Sequence, residues 1–217
     1  MRRGSVAQLV AIGIVCGGVA ALVAIFVPWL PDPASRQAGR IDFVFWFVTV
    51  ICIAIFALVA AVIIYALVKF RAQPGEDMDG PPIHGHTGLE IVWTAVPAAL
   101  VTAISIVSAI VLAKNDHIPK AAAAGDPLKP LVVDVTAQQF AWSFQYPAFN
   151  KLTSATLKLP LDAPVQLRIT SLDVTHSFWV PEFGQKQDAV PGLLTKLVIT
   201  PTRLGIDEYD VANQGLV

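Results

Sequence analysis

The sequence predicts a membrane protein in which a hairpin of two membrane helices is followed by a small antiparallel β-sandwich or barrel. The hairpin is preceded by a signal peptide or an additional transmembrane helix. Of the 217 residues, 14% are charged and 55% are hydrophobic, which is too apolar for an ordinary soluble domain. Three long uncharged runs fill the first half, and the second half changes to short apolar runs separated by proline and glycine.

The uncharged runs cover residues 6–30, 43–68 and 91–113. A helix needs about 20 apolar residues to cross a hydrocarbon core of about 30 Å, and each run is long enough. The rest of the chain is too small to bury three such helices in a soluble fold. We therefore expect a signal peptide or first transmembrane helix at 1–30 and a helical hairpin at 41–114. The length of the first run, and the lack of a clear small-x-small cleavage site, favour a retained helix.

The orientation follows from the basic residues, which stay on the inner side of the membrane. The arginines at the N-terminus and the basic residues after the second run place the N-terminus and the second connection inside. The first connection, residues 31–40, then lies outside despite Arg36 and Arg40. Everything after Lys114 also lies on the outer face, and the protein is expected in the cell membrane as a multi-pass protein.

Residues 115–129 are polar, alanine-rich and interrupted by proline and glycine, which indicates a linker. Residues 130–217 form the predicted β domain. Its strand-like runs lie at 131–136, 156–159, 165–170, 178–180 and 193–200, with an aromatic strand at 138–146.

The sequence supports neither nucleic-acid binding nor a site formed by cysteines. A net charge of −1 gives no electrostatic basis for binding nucleic acid. The two cysteines, Cys16 and Cys52, both fall inside apolar runs, so we interpret them as buried small hydrophobic residues and not as a disulfide or metal pair.

Three stretches in order resemble subunit II of the cytochrome c oxidases, within the haem–copper oxidase family. They are His-Thr-Gly-Leu-Glu-Ile-Val-Trp-Thr-Ala-Val-Pro at 86–97, Gln-Gln-Phe-Ala-Trp-Ser-Phe-Gln-Tyr at 138–146, and Asp-Val-Thr-His-Ser-Phe-Trp-Val-Pro at 173–181 with Lys-Gln-Asp-Ala-Val-Pro-Gly at 186–192. The resemblance implies a cupredoxin-like Greek-key sandwich on the outer face, here incomplete at its C-terminus. It also implies oxidase subunits I and III as partners. The alanine- and valine-rich composition and the extra leading helix favour a bacterial source.

In that family the β domain holds a dinuclear copper centre that accepts electrons from cytochrome c and passes them to haem in subunit I. His176 matches the first copper ligand, and an imidazole nitrogen suits copper. The other ligands come from a Cys-x3-Cys-x3-His-x2-Met loop that is absent here. If Tyr209 aligns with the tyrosine before that loop, Ala212 and Leu216 stand where the cysteines are expected. Copper is therefore expected for the family but not for the chain as written.

Two explanations are open for the missing ligands. The chain is truncated or frameshifted near residue 211, or it is a genuine variant without copper. We favour truncation, because a sandwich that stops after Asp210 loses its closing strand and exposes an edge. The alternative functions are subunit II of a quinol oxidase, which has the same fold without copper, and a scaffold subunit that carries no electrons.

Further site residues are implied by the same resemblance. Glu90 matches a glutamate at the inner mouth of a proton channel, although a carboxylate there also suits the N-terminus of a helix. Phe140 and Trp142 lie near the point where electrons enter from cytochrome c, and strand alternation places both on one face, where sandwich core is the simpler interpretation. Leu193 stands where many relatives carry arginine.

Overall fold

A computed structural model describes residues 3–71, 75, 82, 85–118, 130–204, 209–210 and 215–216. Of the predicted linker, residues 119–129 lie outside the described residues, as does Ala212. The chain divides into two compact units, one of Met1–Trp29 with Phe45–Val107 and one of Leu30–Val44 with Ser108–Val217.

The first half consists of the helices α1 (Arg3–Phe26), α2 (Arg36–Lys69) and α3 (Thr87–Asp116). Each is long and apolar enough to cross a membrane, which confirms the predicted membrane helices. Small residues bring α1 close to α2. A Cβ atom added at Gly17 would lie 3.2 Å from the Cβ of Ala57, and one at Gly13 would lie 3.7 Å from that of Ala61.

The second half is a sandwich of two sheets. Its strands are β1 (Leu131–Gln138), β2 (Ala141–Tyr146), β3 (Leu152–Ser154), β4 (Val165–Ser171), β5 (His176–Val180), β6 (Gln185–Ala189) and β7 (Thr195–Ile199). The first sheet has the order β3-β2-β1-β4-β7, and β5 pairs with β6 in the second. A further short pair, β8 (Tyr209–Asp210) and β9 (Gly215–Leu216), follows.

The core lies between the two sheets, where apolar side chains alternate with outward-facing ones. Its largest fully buried side chains are Val133, Val135, Val165, Leu167, Ile169 and Ile199. Strand β4 shows the clearest alternation, with every second residue from Val165 to Ser171 buried. The predicted class of fold, membrane helices followed by a β-sandwich, is therefore confirmed.

The predicted all-antiparallel pairing is wrong at one place, because β1 and β4 run parallel. Strand β2 pairs with one edge of β1, and β3 pairs with β2. After β3 the chain crosses to the other edge of β1, where β4 runs in the same direction as β1.

The strand predicted at 156–159 is also absent. Leu157 and Leu159 pack against the core. The backbone of Lys158 between them forms hydrogen bonds with the side chain of Tyr146. The hydroxyl of Tyr146 accepts from the N–H of Lys158 at 2.6 Å and donates to its carbonyl at 3.1 Å. The alternation in the sequence therefore reflects burial without a ladder of strand hydrogen bonds.

Candidate functional site

His176 is the first residue of β5, where it pairs with Ala189 of β6. Its side chain is 23% exposed, and its Nε2 lies 2.7 Å from Oδ1 of Asp173. An ionised carboxylate can only accept hydrogen bonds, so the ring donates through Nε2. Nδ1 is then the ring nitrogen whose lone pair is free for a metal, as in the carboxylate–histidine pairs that orient metal ligands.

Asp173 is a site residue that the sequence reasoning missed. It lies in the connection between β4 and β5, and its Oδ2 accepts from the backbone N–H of Gln139 at 2.6 Å. Its Oδ1 accepts from the N–H of Val174 at 2.7 Å and from the hydroxyl of Ser171 at 3.1 Å. The N–H of Gln139, and next the ring of His176, hold the pKa of Asp173 well below its usual range. The usable signal was a carboxylate three residues before the histidine.

Aromatic rings connect His176 to the core. The ring of Trp142, on β2, lies edge-on to the ring of His176 with centroids 6.2 Å apart. The same indole packs against Phe178 at 5.7 Å, and Phe178 packs against Phe144 at 6.5 Å. Such edge-to-face contacts favour a fixed ring geometry. The structure thus brings His176 and Trp142 into contact.

Phe140 lies elsewhere than predicted. It belongs to the turn between β1 and β2 and not to β2, and it is 76% exposed. The expectation of core packing on the face of Trp142 is therefore wrong for Phe140, because the turn ends the strand alternation before that residue. Trp142 itself is partly buried against the core.

The copper ligand set implied by the resemblance does not fit the residues described. Among the described parts of the chain, no group of three His, Cys, Asp or Glu side chains is placed to hold a metal ion. Cys16 lies in α1 and Cys52 in α2, and neither belongs to the compact unit that contains His176. A dinuclear copper centre needs soft thiolate ligands in addition to imidazole. His176 remains a candidate for one ligand, and no chemical step through copper follows from these residues.

Glu90 lies in the first turn of α3. Its Oε1 accepts from the backbone N–H of His86 at 3.3 Å, while Nδ1 of His86 accepts from the N–H of Leu89 at 3.2 Å. This reciprocal pair resembles a capping box and satisfies two donors at the helix N-terminus. The capping interpretation of Glu90 therefore has geometric support, and proton uptake stays a prediction.

We expect Asp173→Asn to loosen the orientation of His176, because an amide at this position offers one acceptor oxygen in place of two and carries no charge. In full-length chain labelled with ¹⁵N-histidine, the wild-type ring should be the Nε2–H tautomer, and the variant should show a mixture. Asp188→Asn is the matched control, since Asp188 accepts from Ser177 at 2.8 Å and has no hydrogen bond to His176. An unchanged tautomer in Asp173→Asn would show that the carboxylate does not position the ring.

Comparison with known proteins places these features in one family. The transmembrane-domain model of cytochrome c oxidase subunit II matches residues 21–111, and its periplasmic-domain model matches residues 152–210. Cytochrome c oxidase subunit 2 of a Synechocystis species is 33% identical over 81% of this chain and 64% of that protein. Quinol oxidase subunit 2 of Bacillus subtilis is 34% identical over 68% of this chain and 46% of that protein.

A solved structure also matches. The periplasmic domain of subunit II of cytochrome oxidase from Bradyrhizobium japonicum is 26% identical, covers 41% of this chain and 70% of that one, and gives a TM-score of 0.35. The chain spans less than two thirds of the length of the Synechocystis and Bacillus proteins named above.

The two family models match the membrane helices and the β domain in the family's own order. Three helices able to span a membrane precede the part that matches a periplasmic domain, so the protein is a membrane protein with a periplasmic β domain. The chain belongs to the cytochrome c oxidase subunit II family.

Proposed function

We propose that the chain acts as subunit II of an aerobic terminal oxidase, accepting electrons from cytochrome c on the outer face and passing them to subunit I. The observation that supports this most is the cluster at the start of β5. There His176 is oriented by Asp173 and touches Trp142. Subunit I, which carries the haem and reduces oxygen, and subunit III are the proposed partners.

Phe140 is the proposed surface contact for the electron donor. It is exposed in the turn beside Trp142, and Trp142 in turn contacts His176. An exposed aromatic side chain of this kind is a common anchor at protein–protein contacts. Copper enters the proposal only for a whole protein that carries the thiolate loop, where His176 would be one ligand.

A second candidate is subunit II of a quinol oxidase. It is favoured by the similarity to the Bacillus subtilis quinol oxidase subunit. The gene distinguishes the candidates directly. Reading the codons from Asp210 through about 40 residues beyond Val217 shows a copper ligand loop, a longer ligand-free sandwich, or a stop that leaves a scaffold role.

The functional test uses the whole gene, expressed with its partner subunits, and supplies either reduced cytochrome c or a quinol. We expect oxygen consumption with cytochrome c, and we expect Phe140→Ala to lower kcat/KM for cytochrome c by roughly tenfold through the loss of one contact residue.

Phe149→Ala is the matched control for this test. Phe149 is 60% exposed and follows the other end of β2, so its loss should leave kcat/KM unchanged. Oxidation of quinol alone would refute the cytochrome c proposal in favour of the quinol type. Equal effects of the two substitutions would remove Phe140 from the donor contact.

A further inference from the structure

The inner end of α2 combines a groove with positive charge. Helix α2 ends at Lys69, and the N–H of Phe70 still donates to the carbonyl of Ala66 at 2.9 Å. A groove of about 500 Å³ opens at this point, and its lining consists of Ala66, Leu67, Phe70 and Arg71. Three apolar side chains and one guanidinium therefore share a single groove.

This groove lies at the level of the inner-leaflet headgroups. The β domain that follows α3 is periplasmic, so α3 crosses the membrane from the inner side outward and α2 crosses in the opposite sense. Lys69 is the last residue of α2, which is long enough to span the bilayer. Phospholipid therefore surrounds an exposed groove at this depth.

The apolar wall of the groove has a defined shape. The rings of Tyr65 and Phe70 meet edge to face with centroids 6.0 Å apart, a geometry that favours a fixed ring position. Phe70 is nevertheless 74% exposed, and Leu67 is also exposed, so the wall is open to lipid. Ala66 contributes only a methyl group and leaves space between its larger neighbours. A wall of this kind suits the glycerol backbone and the upper part of an acyl chain.

The cations at this end of α2 are available to a ligand. Neither Lys69 nor Arg71 forms an ion pair with any residue that the structure describes. Glu90, in the first turn of α3, accepts from the backbone N–H of His86 instead. Basic residues next to the inner end of a membrane helix attract anionic lipids, and a guanidinium matches the geometry of a phosphate group.

Helix α1 brings further positive charge to the same depth. It packs against α2 in the antiparallel sense through two glycine–alanine contacts, one of which joins Gly13 and Ala61. Ten residues separate Gly13 from Arg3 in one direction and Ala61 from Arg71 in the other, which is about 15 Å of helix. The N-terminal arginines therefore start α1 at about the depth at which α2 ends.

We propose that this groove binds an anionic phospholipid of the inner leaflet. The phosphate lies on Arg71 and Lys69, and the glycerol backbone and upper acyl chain lie along Ala66, Leu67 and Phe70. The lipid uses both halves of the groove, which a free phosphate cannot do. This site belongs to the membrane helices and is independent of the cluster around the histidine of β5.

Native mass spectrometry of the full chain, released from detergent micelles, tests the headgroup preference. The probes are dioleoylphosphatidylglycerol and dioleoylphosphatidylcholine, which share their acyl chains and differ in net charge. The wild-type chain should bind phosphatidylglycerol roughly 10- to 30-fold more tightly, because each basic residue near a membrane surface contributes about fivefold. Arg71→Gln should weaken binding of phosphatidylglycerol by about fivefold and leave phosphatidylcholine unchanged.

Lys114→Gln is the matched control, since it removes one positive charge at the outer end of α3. It should change the binding of neither lipid. Equal losses in Arg71→Gln and Lys114→Gln would show that the lipid responds to overall charge, and would overturn the proposal. Equal affinity of the wild-type chain for both lipids would overturn it too, because the acidic residues of the following connection would then neutralise the site.

A second pair of variants tests the groove itself without changing any charge. Ala66→Leu fills the space between the lining side chains, and Ala54→Leu adds the same group at an exposed position of the same helix. Loss of phosphatidylglycerol binding in Ala66→Leu alone supports a lipid seated in the groove. Unchanged binding in Ala66→Leu would show that the cations act without the apolar wall, and the lipid site would be refuted.

Discussion

Replacing Leu167 with alanine is expected to lower the free energy of unfolding of the β domain by about 2–5 kcal/mol. Leu167 is fully buried in the middle of β4, the strand that joins β1 to β7. It lies opposite Val133 on one neighbour and Leu197 on the other, and both of those side chains are buried. The truncation leaves a cavity that close-packed strands on either side cannot fill.

The matched control for Leu167→Ala is Gln166→Ala on the same strand. Gln166 points to the outer face of the sheet and is half-buried, so its truncation should cost well under about 1 kcal/mol. Urea titration of the full chain, with a brief protease pulse to digest unfolded β domain, measures both values. Equal midpoints for the two variants would show that the core is not centred on β4.

The sequence predicted most elements well where burial and backbone pairing agree. Strand β4 was expected at 165–170 and forms Val165–Ser171, because alternation and sheet pairing coincide there. In contrast, β6 was not predicted. Its sequence, Gln-Lys-Gln-Asp-Ala, buries only Ala189, so no apolar alternation marks the strand, and its position depends on pairing with β5.

Helix ends were less predictable than helix cores. An uncharged run marks the part of a helix that lies in the hydrocarbon region, whereas the helix itself continues into polar residues. Helix α2 begins at Arg36, several residues before its uncharged run, because Ser35 caps it. That cap also contacts the carbonyl of Phe183, a residue far along the chain, and such a contact leaves no local sequence pattern.

The candidate site was predictable residue by residue but not as an arrangement. The resemblance pointed to His176 and Trp142, which lie on different strands and meet only because the sandwich places their rings together. Asp173 gains its role from two contacts, one to His176 and one to the distant N–H of Gln139. The second contact depends on where the turn between β1 and β2 ends. The secondary-structure propensities of the residues do not determine that position.

Glu90→Gln in the whole oxidase is expected to slow proton uptake from the inner side by about 100-fold or more, since a positioned proton-transfer group contributes roughly 10²- to 10⁴-fold. A glutamine keeps an acceptor oxygen for the N–H of His86, so the start of α3 should remain intact. It has no carboxyl group that could take up and release a proton. Stopped-flow absorbance of a pH dye during a single turnover measures the uptake rate directly.

Two further variants separate proton uptake from helix capping. His86→Ala removes the side-chain acceptor of the Leu89 N–H but leaves the carboxylate of Glu90, and Glu90→Ala removes cap and carboxylate together. If Glu90 takes up protons, Glu90→Gln and Glu90→Ala are both slow and His86→Ala is close to wild type. If Glu90 serves only as a cap, His86→Ala and Glu90→Ala are slow while Glu90→Gln is not. The order of the three rates therefore assigns Glu90 one role, because the glutamine variant is the only one that removes the proton and keeps the hydrogen bond.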